Sequence, residues 1–159
     1  MPTDPFPHRY DVTASASHDS ADVMLAAENV PALPTGLPPQ FGGTKDQWSP
    51  ETLLVAAVAD CYALTFRGAA RASQLTWLTV CCDVEGTLER VDRVTRFTRF
   101  AIRVLLHVPD GTDLELARRV LKRAEDTCLV TRSLSAETQL DAQIDVVRAD
   151  VLEPAGMLP

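Results

Sequence analysis

The chain has 159 residues and a formal net charge of −7, with 46% hydrophobic and 23% charged residues. This length suits one domain with a sizeable core, and the composition is that of an ordinary soluble globular protein. The acidic balance argues against nucleic acid and anionic membrane surfaces as partners. Apolar runs stay short of the ~18–20 residues of a membrane span, because Asp60 interrupts the longest of them, Leu53 to Phe66.

The N-terminus and the cysteines indicate the compartment and the kind of chemistry. MPTDPFPHRYDV lacks the basic and apolar regions of a secretory signal, so we expect a cytoplasmic protein. Thiols stay reduced there, and four cysteines indicate redox or metal chemistry rather than structural disulfides. Metal is disfavoured because Cys81 and Cys82 are adjacent, no C-x-x-C occurs and the histidines have no ligand spacing. We predict no metal and no cofactor.

The first forty residues contain extended segments and loops. Residues 1–7 hold three prolines and are expected to be loose, as are residues 150–159. HRYDVTASAS alternates apolar and polar residues as a half-buried strand does, whereas ADVMLAAEN could be a returning strand or a helix. Four prolines between Pro31 and Pro39 exclude a regular helix and an inner strand.

A long apolar helix is predicted from Ser49 to about Ser73. Ser49 can cap the first turn, and Pro50 supplies a helical φ where no N–H is needed. Cys61 falls on a stripe at helical spacing that we expect to pack, made of Leu54, Ala57, Val58, Cys61, Leu64, Thr65 and Gly68. Since the other side is also apolar, the helix is expected to be buried all round.

A second helix is predicted from about Thr112, which has capping-box spacing to Glu115, to Cys128. Cys128 ends its apolar stripe, so each thiol lies on the packing face of its own helix. Alternation of apolar and polar residues predicts three strands, in TWLTVCCDVEGTLER, RFTRFAIRVLLHVP and TQLDAQIDVV. In the first of them, Cys82 and Leu88 are predicted to point inward and Cys81 outward. This order of strands and helices predicts an α+β fold, with helices against one antiparallel sheet.

The run FGG…WSPETLLVAAVADC, followed by AEDTCLVTRSL and a closing strand, resembles the osmotically inducible protein C and organic hydroperoxide resistance (OsmC/Ohr) family. The resemblance covers roughly residues 40–146. It favours a strand for ADVMLAAEN and implies a single OsmC-like domain over residues 1–159. It also implies an α+β intertwined homodimer whose antiparallel sheets pack on two long central helices.

The same resemblance implies a thiol-dependent peroxidase that reduces organic hydroperoxides to alcohols. Cys61 would be the attacking thiol, Cys128 the resolving thiol and Glu51 a supporting residue. A sulfenic acid on Cys61 would condense with Cys128 to a disulfide, and a dithiol reductant of the lipoyl type would restore both thiols. Phe41 and Trp48 are candidates for an apolar substrate pocket or for a hydrophobic staple, and His18 is a further pocket candidate.

One group that the family carries is absent. Family members have an arginine in the first hairpin, but here the turn reads Ser-His-Asp-Ser and no arginine lies between Arg9 and Arg67. Another cation or a set of N–H donors must then lower the pKa of Cys61. The candidate cations are His18 and, from the antiparallel helix of a second copy, Arg67 or Arg71. The competing hypothesis is a protein of the same fold that binds a small apolar ligand or partner without appreciable peroxidase activity.

Overall fold

The computed structural model describes residues 5–148. The chain forms two compact units, the first ending at Leu54 and the second beginning at Val55. The predicted loose termini lie mostly outside the described residues; only residues 5–7 are described, and they are exposed without a regular element.

The first unit contains a three-stranded antiparallel sheet in the order β1 (Thr13–Ala16), β2 (Val23–Ala26), β3 (Leu33–Thr35), followed by a 3-10 turn at Pro39–Phe41. The strand interpretation of ADVMLAAEN is therefore confirmed. Pro34 is tolerated in β3 because this strand lies at the edge of the sheet. This agrees with the prediction that the prolines exclude an inner strand. The half-buried face predicted for the first strand is wrong, since every residue of β1 is exposed. β1 is the other edge of a short sheet.

The second unit contains a sheet of β4 (Thr79–Val91), β5 (Val94–Pro109) and β6 (Glu137–Val147), in that order. β4 and β5 form an antiparallel hairpin, but β5 and β6 are parallel. The prediction of one antiparallel sheet is thus wrong in both the number of sheets and this pairing. Parallel neighbours need a long crossover, and the helical segment between β5 and β6 supplies it.

The helices are α1 (Pro50–Ala72), α2 (Leu114–Thr127) and the short α3 (Leu129–Arg132). At the start of α1, the Thr52 N–H donates to Ser49 Oγ at 3.2 Å and the Ser49 N–H donates to Thr52 Oγ1 at 2.8 Å. The predicted cap of the second helix at Thr112 is wrong. Asp113 caps α2 instead, because its carboxylate accepts the N–H groups of Glu115 and Leu116.

The core of the second unit takes Val58 from the predicted stripe of α1 and two aromatic residues from its other apolar side. Tyr62 and Phe66 are fully buried, and the Tyr62 hydroxyl donates to the carbonyl of Leu121 on α2 at 3.1 Å. On the stripe that carries Cys61, in contrast, Leu64 is 53% exposed. Both sides of α1 are apolar, so periodicity could not select between them. The aromatic rings fill the interior because they bury the largest apolar area.

The prediction that no segment is long and apolar enough to span a membrane does not hold for α1. By length and composition alone it could cross a membrane, and among the described residues it is the one helix that could. Its Tyr62 face lies in the core of the second unit. Among the described residues, the large apolar side chain of α1 that stays exposed is Leu64, three residues after Cys61.

The strand faces of the second sheet follow the predicted alternation with one interruption. On β5 the predicted inward residues are all buried: Phe100, Ile102, Val104, Leu106 and Val108. On β4, Cys82 is half-buried and Cys81 exposed, as predicted. Leu88 was predicted to point inward but is 38% exposed, because a register shift between Thr87 and Leu88 changes the alternation.

We expect Gly86→Ala to destabilise the second unit. A methyl group at Gly86 would lie 2.8 Å from ring carbon Cε1 of Phe97 and 2.8 Å from Cγ2 of Val55. Overpacking of this kind lowers the free energy of unfolding by about 1–3 kcal/mol. Chemical denaturation measures the change. Glu85→Ala is the control, because Glu85 is exposed and its pair with Arg103 is a surface ion pair; equal stability of the two variants would contradict the prediction.

Candidate active site

Cys61 lies in the middle of α1 and is half-buried. Its sulfur is 4.0 Å from Oγ1 of Thr65, one helical turn later. Cys128 lies between α2 and α3 and is fully buried. Its extended backbone, with φ −64° and ψ 115°, separates the two helices. The chain restarts as a helix at Leu129, and the first N–H groups of a helix have no partner within it.

Those N–H groups and the thiol of Cys128 reach the sulfur of Cys61. Burial raises the pKa of Cys61, but hydrogen bonds from the Val130 N–H, the Cys128 thiol, the Thr65 hydroxyl and the Leu129 N–H lower it. The net effect is a pKa below the ordinary value. The structure thus brings Cys61 and Cys128, the two thiols singled out from the sequence, close enough for each to shift the pKa of the other.

The two thiols differ in their acidity. The pKa of Cys128 is raised, first by burial and then by its hydrogen bond and charge interaction with Cys61, although hydrogen bonds from Thr131 oppose the change. Cys61 therefore ionises first, and Cys128 keeps the proton that it donates to the Cys61 thiolate. A nucleophile and a protonated neighbour are the arrangement that a two-cysteine redox site needs.

Uncharged donors, rather than a cation, lower the pKa of Cys61 among the described residues. Of the two possibilities left open by the absent arginine, the N–H donors are therefore the ones observed within this chain, and no cation of residues 5–148 is among the groups that lower the pKa. Of the candidate cations, His18 is 98% exposed and pairs with Asp19 at 2.6 Å. Arg67 and Arg71 are exposed on α1, and their action from a second copy stays a prediction.

Cys82 is a third thiol near this pair. Burial, and then the charges of Asp83, Cys81 and Cys128, raise its pKa to about 12. Burial, and then the charges of Cys82, Glu125 and Cys128, raise the pKa of the Tyr62 phenol. Cys82 therefore stays protonated at neutral pH, as expected for a core residue.

The other predicted site residues lie in the first unit. Glu51 is in the first turn of α1, and its Oε2 atom is buried without a hydrogen-bond partner among the described residues. Phe41 is 52% and Trp48 47% exposed. The Trp48 carbonyl accepts the N–H of Gly36 at 2.9 Å. The pocket role of Phe41, Trp48 and His18 stays a prediction.

Sequence reasoning missed the donors around Cys61. Thr65 was assigned to the packing stripe, and its spacing of four residues from Cys61 was the available signal. The N–H groups of Leu129 and Val130 give no side-chain signal. Across residues 5–148, no group of three or more His, Cys, Asp or Glu side chains is placed to hold a metal ion.

Comparison with known proteins places this chain in a family. A family model described as OsmC-like protein matches residues 43–143. The uncharacterized protein YmaD of Bacillus subtilis is 25% identical over 113 residues, which are 69% of this chain and 75% of that protein.

Two solved structures share the fold. An OsmC-like protein of unknown function from Vibrio cholerae has a TM-score of 0.78 at 15% identity, covering 86% of this chain and 100% of that one. An organic hydroperoxide resistance protein from Elizabethkingia anophelis has a TM-score of 0.71 at 12% identity, covering 89% and 99%. At such identities the likeness concerns the fold alone. Because the family model spans more than half of the sequence, the chain belongs to the OsmC-like protein family.

Proposed function

We propose that this protein is a thiol-dependent peroxidase that reduces organic hydroperoxides to alcohols. The observation that carries the proposal is the proximity of Cys61 and Cys128, with the pKa lowered on the half-buried thiol and raised on the buried one. Membership of a family that includes organic hydroperoxide resistance proteins supports the same reaction.

In the first step, the Cys61 thiolate attacks the terminal oxygen of the hydroperoxide, the one that carries the hydrogen. An S–O bond forms and the O–O bond breaks, so that Cys61 becomes a sulfenic acid and the alkoxide leaves, taking up a proton to form the alcohol. The thiolate is the reactive form. The donors from Leu129, Val130, Cys128 and Thr65 favour that form at neutral pH, because each stabilises the charged sulfur.

In the second step, the sulfur of Cys128 attacks the sulfur of the Cys61 sulfenic acid. A disulfide forms, and the hydroxyl leaves as water with the proton of Cys128. Cys128 is placed for this step as a neighbour of Cys61, since each thiol shifts the pKa of the other. A dithiol reductant, which we propose is of the lipoyl type, then returns both residues to thiols by exchange and is itself oxidised to a disulfide.

The second candidate function is binding of a small apolar ligand or partner without appreciable peroxidase activity. Two observations favour it: the first hairpin has no arginine, and apolar side chains near Cys61 are exposed. Leu129, which donates its N–H to the sulfur, is 74% exposed, and Leu64, three residues after Cys61, is 53% exposed. An apolar surface of this kind could hold the organic part of a hydroperoxide as well as an inert ligand.

We further propose that the protein acts in the cytoplasm as a homodimer. The exposed stripe of α1, which includes Leu64, would be covered by a second copy in an interface above ~2,000 Å² in total, as in obligate dimers. Glu51 remains the proposed supporting residue, since its buried Oε2 has no hydrogen-bond partner among the described residues and can accept a donor brought by the substrate or the second copy.

Alkylation of the folded protein should distinguish its thiols. Iodoacetamide reacts with thiolates, so each rate rises with pH through the pKa of that thiol, and a lowered pKa moves the rise to lower pH. We expect Cys61 to have a midpoint below the ordinary ~8.5 of a free cysteine. Cys82, with a pKa of about 12, should stay largely unmodified at neutral pH. Mass spectrometry of the peptides measures both.

Denatured protein is the control, because unfolding removes the shifts and the two cysteines should then react alike. A midpoint for Cys61 at or above that of the denatured chain would count against the peroxidase and in favour of the ligand-binding function.

Consumption of cumene hydroperoxide with dihydrolipoamide as reductant tests the assigned roles. Cys61→Ser should reduce the rate to the uncatalysed background, because the nucleophile is lost. Cys128→Ser should complete the first step and then accumulate sulfenic or sulfinic acid on Cys61, since no thiol resolves it. Cys81→Ser is the matched control, because Cys81 is exposed on the outward face of β4. Equal rates for wild type and Cys61→Ser would exclude the proposed reaction.

Sedimentation velocity at micromolar concentration tests the dimer. Leu64→Glu places a charge on the exposed stripe of α1, and burying an unpaired carboxylate should weaken association by ~100-fold or more. Leu88→Glu is the control, because Leu88 is 38% exposed on a different element. A wild-type protein that sediments as a stable monomer would refute the proposal.

A further inference from the structure

The hydroxyl of Thr65 has an unusual hydrogen-bond partner for a threonine inside a helix. Such hydroxyls commonly donate to the carbonyl four residues earlier, as Thr127 does to Arg123 at 2.7 Å. The Thr65 hydroxyl instead contacts the Cys61 sulfur at 4.0 Å. Within residues 5–148, no other hydrogen bond involves this hydroxyl. Thr65 is half-buried, on the same stripe of α1 as Cys61.

We propose that Thr65 is an activating residue for Cys61, donating its hydroxyl hydrogen to the thiolate that attacks the substrate. This inference rests on the proposed role of Cys61 as a nucleophile. A thiolate has no hydrogen, so once Cys61 is ionised the hydroxyl can only be the donor. Hydrogen bonds to a charged acceptor are shorter and stronger than those between neutral groups, so the contact tightens when the proton leaves.

Thr65 differs from the other donors in what happens to it during the reaction. The Cys128 thiol is consumed when the disulfide forms, and the N–H groups of Leu129 and Val130 belong to the segment that carries Cys128. Thr65 lies on α1 itself, one turn from Cys61, so its position relative to the sulfur is fixed by the helix. Its hydroxyl therefore stays beside the sulfur in the thiolate, sulfenic acid and disulfide states.

The test compares Thr65→Val, which removes the hydroxyl and keeps the shape, with Thr65→Ser, which keeps the hydroxyl. Alkylation with iodoacetamide is followed across pH. Trypsin separates Cys61, in the peptide 46–67, from Cys81, Cys82 and Cys128 in other peptides. We expect the midpoint of Cys61 to rise by about 0.5–1 pH unit in Thr65→Val and to stay unchanged in Thr65→Ser.

The rate of hydroperoxide consumption at pH 7 should fall by about three- to tenfold in Thr65→Val, in line with the smaller thiolate fraction. It should recover at high pH, where the thiol ionises without help. Thr127→Val is a control that removes a helical hydroxyl bonded to a carbonyl rather than to sulfur, and it should leave the Cys61 midpoint unchanged.

Two results would overturn the proposal: an unchanged midpoint in Thr65→Val, or an equal shift in Thr65→Ser, which would assign the effect to packing. If Thr65→Val does not fold by circular dichroism, Thr65→Ala provides the variant without a hydroxyl, and an unchanged midpoint there overturns the proposal equally. Alkylation reads the thiol whether or not the protein reduces peroxides. If the wild-type protein has no peroxidase activity but Thr65→Val raises the Cys61 midpoint, the proposed function is rejected and the effect of Thr65 on the Cys61 thiol is retained.

Discussion

The site depends on hydrogen bonds that the segment around Cys128 gives to the sulfur of Cys61. These bonds exist because α2 ends at Thr127 and the helix restarts at Leu129, leaving the N–H groups of Leu129 and Val130 free to reach the thiol. In an uninterrupted helix the same groups would bond to carbonyls one turn earlier. The break at Cys128 therefore supplies the donors and also places the second thiol against the first.

The different surroundings of Cys61 and Cys128 then give these two cysteines different pKa values. Cys61 is half-buried and can meet both a substrate and its donors, so its pKa falls. Cys128 is fully buried and next to a sulfur that ionises first, so its pKa rises. Cys82, on β4, has a pKa of about 12 and stays a thiol, which keeps it from competing in exchange at neutral pH.

α1 links the core to the site. Its Tyr62 face fixes the helix against α2, while the opposite stripe presents Cys61 and leaves Leu64 largely exposed. A rigid helix held from one side can offer a nucleophile on the other without losing stability. The same arrangement leaves apolar surface uncovered in a single chain, which is the physical reason to expect a second copy or an apolar ligand beside the thiol.

The sequence by itself determined the elements with strong local signals. These are the Ser49-capped start of α1, the alternation of β5, and the two cysteines in helical contexts, which the resemblance joined into one site. Tertiary structure decided the rest. Only packing could select the Tyr62 face of α1, because both faces are apolar, and only the crossover made β5 and β6 parallel. The donors to Cys61 come largely from backbone N–H groups, which every residue but proline carries, so no residue pattern could reveal them before the chain folded.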